Sequence, residues 1–321
     1  MNSLLIYLFL LALGQAYGSC FGEMHVVQRR LEKQIHILEH SELGQILQDG
    51  RLDKFISVGS PYQISKIHSG SNGMIYLARP KEGGAALILK SPDGSQSLED
   101  LFLFGEKGHR LVKREVLNYE FDQLLGLNVV APTRAVVTEK GGIYSAQDFL
   151  EDGFKTLDKA SSTALEKANP KDVQKSVLLD FLLGQSDRTS TNWMIDQNGN
   201  IRLIDNSMSL PGLRVSFLNT NSHLHYFKGI IKQGIDPSLR ELFQSLNENQ
   251  MIQFLSNYKL SDRAIDAAIF RLNMVKKLLR EEPDHALEII AKINSGQKLK
   301  LFLGGSAALI GTYVIYNKFE K

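Results

Sequence analysis

Cysteine is almost missing from this chain of 321 residues: Cys20 is the only one. No disulfide can close within the chain, and no cysteine metal site is available to it. Such scarcity is compatible with an oxidising compartment without demonstrating one. A dominant charge is missing too, since 37 lysines and arginines face 35 aspartates and glutamates for a net charge of +2. Without a strong basic block, a nucleic-acid partner is not expected. Low apolar content is not among the deficits. At 43% hydrophobic residues the chain can bury a substantial core, as one two-lobed domain or two small ones, and disorder is not expected.

The N-terminus reads as a signal peptide over 1–18. Leu4 to Leu13 is an unbroken apolar run, and Ala16-x-Gly18 supplies the small residues for cleavage before Ser19. The reading implies entry to the secretory pathway or export. Only the terminal amine charges the first residues, so an uncleaved anchor or a buried N-terminal helix stays open, although the run is too short to span a bilayer comfortably. Cys20 also lies where a bacterial lipoprotein carries its acylated cysteine, but Tyr17 is a poor residue three places before it.

A helical extension is expected over 19–56, from the loosely helical spacing of Val26, Leu31, Ile35, Leu38 and Leu43. Strands follow, in a β-rich segment over 57–150. Tyr62 to Ile67 and Met74 to Leu77 flank a turn with Gly70, Ser71, Asn72 and Gly73. The turn is either an ordinary hairpin or a cover for nucleotide phosphates, with glycines permitting close backbone approach. A third strand ends in Lys90. From Leu111 to Leu125 a helix carries Leu117, Phe121, Leu124 and Leu125 on one face and stops at Gly126. Glu115 and Glu120 both lie on it, and helical geometry does not say which one pairs with Lys90. Two more strands, Arg134 to Thr138 and Ile143 to Phe149, precede a polar stretch. There the backbone of Gln147, Asp148, Phe149 and Leu150 has the donors and acceptors an adenine needs.

Helices are expected to dominate 151–295, with stripes at Leu239, Leu242, Phe243 and Leu246, then at Ile265, Ala268, Leu272, Val275 and Leu279. His223 and His225 read as surface residues of a polar loop, not metal ligands. Within the tail 296–321, the stretch 301–316 carries no charge, is rich in glycine and alanine, and is bracketed by lysines. Small residues four apart suit close helix packing in a bilayer. Its rise of about 24 Å as a helix falls short of a hydrocarbon core of about 30 Å. Membrane association and a buried terminal helix are both consistent with it.

The chemistry concentrates in Leu178 to Pro211. Asp187 stands five residues before Asn192, and Asp205 follows thirteen further on, across a segment that reads as a β-hairpin with a two-residue Asn198-Gly199 turn. Moving a γ-phosphoryl group needs an acid beside the acceptor hydroxyl, an amide oxygen and a second acid on the metal, and a lysine on the phosphates. Asp187, Asn192, Asp205 and Lys90 supply these. The bland reading of the same residues is turn and cap formation.

In order, a Gly/Ser loop, a strand lysine, a helix glutamate, a hinge, Asp-x₄-Asn, a hairpin and a second Asp resemble the atypical kinases of the phosphoinositide 3/4-kinase-like superfamily, including actin-fragmin kinase and the HipA-type kinases. LLDFLLGQSDRTSTNWMID and IRLIDNSMSLP carry most of the resemblance, which spans about 62–213. It implies an α+β, bilobal protein-kinase-like fold, with a β-rich N-lobe, a helical C-lobe and terminal helices. It implies Glu115 as the partner of Lys90, Asp187 as catalytic acid/base, Asn192 and Asp205 as Mg²⁺ or Mn²⁺ ligands, and Gln147 to Leu150 on the adenine of ATP. Two departures bear on loop geometry: Gln185 replaces the usual asparagine, and Thr189 the frequent histidine.

A protein Ser/Thr kinase is the first expectation. Between Asp205 and Lys228, Arg214 is the only basic side chain apart from His223 and His225, few for an anionic lipid head group. A phosphoinositide kinase is the second. A nucleotide-binding pseudokinase or membrane-tethered scaffold is the third.

Overall fold

Alternation of side chains sets the first layer. In the computed structural model, which describes residues 62–70, 73–90, 110–137, 143–150, 153–212 and 221–294, strands β1 (Tyr62–Gly70) and β2 (Gly73–Pro80) form an antiparallel hairpin. Strands β3 (Leu87–Lys90), β4 (Thr133–Val137) and β5 (Ile143–Asp148) complete one antiparallel sheet in the order β1-β2-β3-β5-β4. Leu87 and Leu89 point into a core with Ala78, Val136 and Ala146, so the period of two puts Lys90 on the opposite face. Register thus decides where the lysine goes.

Helix α1 (Arg110–Leu124) packs on β4 and β5. Gly126, at φ 64°, ends it in the left-handed region that glycine adopts without penalty. Asp122 then accepts the Val129 N–H at 3.0 Å and sets the exit of the chain. From there a parallel bridge joins Val130 to Leu203, which ties the first sheet to the second.

The second sheet is small: β6 (Lys155–Thr156), β7 (Trp193–Ile195) and β8 (Ile201–Leu203), in that order. Trp193, Ile195, Ile201 and Leu203 are buried, and Met194 and Arg202 alternate with them. The connection differs from the expected two-residue turn. The ladder ends at Ile195–Ile201, and Gly199 N–H returns to the Asp196 carbonyl at 3.1 Å with Gly199 at φ 87°. The turn is wider because the Asp196 carboxylate accepts the N–H groups of Asn198 (2.9 Å) and Asn200 (2.8 Å).

Short helix α2 (Ser162–Glu166) leads to α3 (Pro170–Leu183), which starts with Pro170 under an Asn169 cap and ends at Gly184. After it come α4 (Lys228–Ile231), α5 (Pro237–Ser245), α6 (Glu248–Asn257), α7 (Asp262–Glu281) and α8 (Ala286–Asn294). Helix α3 packs against α7 and α8, and Val177, Leu178, Phe181 and Leu182 along it are buried. Each such side chain contributes roughly 1.5–3 kcal/mol on burial. His223 and His225 fall in a 3₁₀ helix, 221–227, and not in a loop, because Leu224 and Phe227 are buried by it; His225 itself is exposed.

The class is therefore α+β, with a β-rich half followed by a helical one. Among the described residues no helix is long and apolar enough to cross a membrane. The signal peptide over 1–18, the extension over 19–56, Cys20, the tail 296–321, and Ser71 and Asn72 of the glycine turn lie outside the described residues.

Candidate active site

Lys90, Glu115 and Asp205 meet although 25 and 115 positions separate the lysine from its two partners. Lys90 Nζ lies 2.6 Å from Glu115 Oε1 and 3.0 Å from Asp205 Oδ1. Burial alone would lower the pKa of the ammonium, but the charges of Asp205 and Glu115 outweigh it and raise the pKa. The lysine is a cation. Burial pushes the Glu115 carboxyl up, against Lys90 and the Asn206 N–H, which donates to Glu115 Oε2 at 2.9 Å. Asp205, with its side chain 43% exposed, is held below the ordinary carboxylate range, chiefly by Lys90. Glu120 takes another partner, the Tyr258 hydroxyl.

Helix α3 delivers the second group of residues. Gly184 adopts φ 61°, which favours glycine, and a Cβ there would meet the Arg271 guanidinium carbon at 2.7 Å, so any larger residue would have to displace this buried arginine. Arg271 Nε donates to the Leu182 carbonyl at 2.9 Å. Beyond this cap the chain turns through Gln185 and Ser186 to Asp187, whose side chain reaches the surface while its neighbours stay buried. Burial of its inner part raises the Asp187 carboxyl above the ordinary value, the Asp205 charge raises it further, and Arg188 pulls it back.

Asn192 Nδ2 donates to the Asp187 carbonyl at 2.7 Å. Its amide oxygen accepts the Thr191 hydroxyl at 3.5 Å and, with two lone pairs, keeps room for a cation. Gln185 links the two acids: its Nε2 donates to the Asp205 carbonyl at 3.1 Å, and its Oε1 accepts the Asp187 N–H at 3.4 Å. The residue that departs from the expected asparagine thus joins the two ends of the loop. A carboxylate and an amide oxygen make a hard donor set of the kind Mg²⁺ takes when phosphates complete its shell. Among the described residues no cluster of three His, Cys, Asp or Glu offers an all-protein metal cage.

The stretch Gln147 to Leu150 contributes backbone. Asp148 N–H is committed to the Pro132 carbonyl and Phe149 N–H to the Ala86 carbonyl, both at 2.9 Å. Antiparallel alternation pairs Gln147 with Ile88. Leu150 follows two residues past the end of β5. The Gln147 side chain donates to Thr133 Oγ1 at 3.1 Å, and Phe149 stacks under Arg79 at 5.9 Å. Gly70 and Gly73 pair as the last rung of the β1–β2 hairpin.

Sequence reasoning passed over Asp180, Arg188 and Asn206. Arg188 is fully buried and binds the Asp180 carboxylate through two N–H groups, at 2.8 and 2.9 Å. One signal was present: an aspartate inside an otherwise apolar helical run needs a partner, because a lone buried carboxylate is costly.

No protein-family model matches the chain. No curated protein matches it either. Among solved structures, it is similar to the proinflammatory kinase CtkA of Helicobacter pylori, at 13% identity and a TM-score of 0.38, over 72% of this chain and 96% of that one. It is also similar to the N-terminal 618-residue fragment of LepB from Legionella pneumophila, at 14% identity and a TM-score of 0.38, over 74% of this chain and 51% of the fragment, about half its length.

Proposed function

We propose that this protein transfers the γ-phosphoryl group of ATP to a hydroxyl, with a protein serine or threonine as acceptor. One observation carries the reading: a lysine cation fixed between Glu115 and Asp205, with Asp205 in a loop where Gln185 joins it to Asp187 and Asn192 donates to the Asp187 carbonyl. In this reading Lys90 holds the phosphates and Glu115 holds Lys90. Asp187 accepts the proton of the acceptor hydroxyl. Asn192 and Asp205 hold the divalent ion, which neutralises charge on the β- and γ-phosphates when bound. Gly70 to Gly73 cover the phosphates, and the backbone of Gln147 to Leu150 takes the adenine, with Leu150 N–H as its donor. The shortage of basic side chains after Asp205 favours a protein over a phosphoinositide. On the sequence of its first 18 residues, the enzyme acts in the secretory pathway or after export.

Labelled ATP with Mg²⁺ or Mn²⁺, offered protein extract and mixed lipid vesicles side by side, tests this. Label is expected in protein, and Asp187→Ala should lower it by about 10²-fold or more. Label confined to lipid would reassign the acceptor. Unchanged labelling in the variant would remove Asp187 from its role. Nucleotide-dependent thermal stabilisation without any labelled acceptor would replace the reading with a pseudokinase.

A further inference from the structure

We propose that Arg188 is the positioning residue for the metal-binding pair, holding Asn192 and Asp205 at the separation a nucleotide-bound divalent ion requires. The inference rests on the phosphotransferase reading and concerns how its metal site is held.

A guanidinium has five N–H donors in a rigid plane, and in this fully buried side chain five contacts engage them. Two go to Asp180 on α3, at 2.9 and 2.8 Å, and fix both the charge and the plane. The other three go to the frame of the two ligands. Nη1 donates to the carbonyl of Asn192 itself at 3.1 Å and to the carbonyl of Ile204, just before Asp205, at 2.6 Å. Nη2 donates to Oδ1 of Asn206, just after Asp205, at 2.6 Å. Asp205 between them has φ 55°, a left-handed conformation unfavourable for a residue with a Cβ. Such a conformation persists only where its surroundings over-determine it. Arg188 grips the residues on both sides of Asp205, and the Ile204 N–H adds a direct bond to the Asn192 carbonyl at 3.1 Å. One buried cation therefore holds both ligand segments to α3.

Lysine at this position keeps the charge but has no fork, and cannot engage all these acceptors at once. The test uses the full chain, Mn²⁺ and the non-hydrolysable β,γ-imido analogue of ATP, with Mn²⁺ binding followed by electron paramagnetic resonance. Arg188→Lys is expected to raise the half-saturating Mn²⁺ concentration by about 10–100-fold, the range for lost outer partners of metal ligands. Analogue binding without metal stays as in the wild type, and excess Mn²⁺ restores the metal-dependent binding of the analogue. A folded Arg188→Lys protein with the wild-type Mn²⁺ midpoint overturns the proposal, leaving Arg188 a structural salt bridge alone. Should that variant not fold, Asn206→Ala removes a single acceptor and leaves the Asp180 pair intact. A smaller shift in the same direction supports the proposal; a wild-type midpoint overturns it. If the wild type itself shows no metal-dependent binding of the analogue, the phosphotransferase reading fails, and this inference with it.

Discussion

Lys90 and Asp205 touch, yet they are held in different ways. Lys90 sits on a strand whose place is fixed by backbone pairing on both sides, to β2 and to β5. The residues from Gln185 to Asn192 and from Ile204 to Asn206 lie outside the β7–β8 ladder, and much of their support comes from side chains: Gln185, Arg188, Asn192 and Asp180. A sheet places a residue through register, so most side chains along it are replaceable. A loop places a residue through particular side chains, so single substitutions there reach the chemistry. Helix α1 serves both supports. One side of it packs on β4 and β5, while Arg114 donates to the Ser209 carbonyl at 3.1 Å, Asn118 to Ser209 Oγ at 2.6 Å, and Lys113 to the Tyr258 carbonyl at 3.2 Å. Glu115 is thereby fixed relative to the Asp205 segment as well as to the sheet.

Substitutions on α1 probe that shared role. The largest effect is expected from Phe121→Ala, which empties a buried site stacked on Phe254 at a centroid distance of 5.2 Å. It should lower stability by about 3–5 kcal/mol in urea unfolding. A loss below about 1 kcal/mol, far under that range, would mean that α1 is carried by the sheet alone. Tyr258→Phe is milder. It removes the hydroxyl bonded to Glu120 and should lower stability by about 0.5–1.5 kcal/mol, since Glu120 returns to water. If nucleotide affinity fell with it by more than stability accounts for, the clamp on α1 would reach Lys90.

Smallest is the hairpin turn, which supports the loop side at a distance from the site. Burial nudges the Asp196 carboxyl up, but hydrogen bonds from the Asn200 side chain and the backbone N–H groups of Asn200, Asn198 and Gly199 prevail and hold it below the ordinary carboxylate range. A carboxyl depressed in the folded state stabilises the protein above its unfolded pKa, and the contribution disappears as pH falls through the folded value. The stability difference between wild type and Asp196→Asn should therefore shrink as urea unfolding is carried from about pH 5 to pH 3. A difference independent of pH would show that the carboxylate's charge is not what closes the turn.

Much of the fold could be read from neighbours in the chain. The alternation in 87–90, the Asn169-Pro170 start of α3 and the stop at Gly126 all depend on residues within about one turn. The hairpin turn came out wider than Asn198-Gly199 suggested, because the decisive group was the Asp196 side chain and not the dipeptide. Gln185 departs from the asparagine of the resembled signature, and that departure bears on loop geometry. In the fold it is the bond between two acids, since its longer side chain reaches the Asp205 carbonyl.

What the sequence by itself determined is the set of local elements and the presence of a lysine, acids and an amide in phosphotransfer order. Helical geometry left Glu115 and Glu120 as equals on one helix. The resemblance pointed to Glu115, and the tertiary structure sets it against Lys90 and Glu120 against Tyr258. The tertiary structure alone brought Arg188 to the residues around Asp205 and held that aspartate in a left-handed conformation. The reason is range: caps and alternation are satisfied by groups a few residues away, whereas a buried charge finds its partners wherever the folded chain brings them.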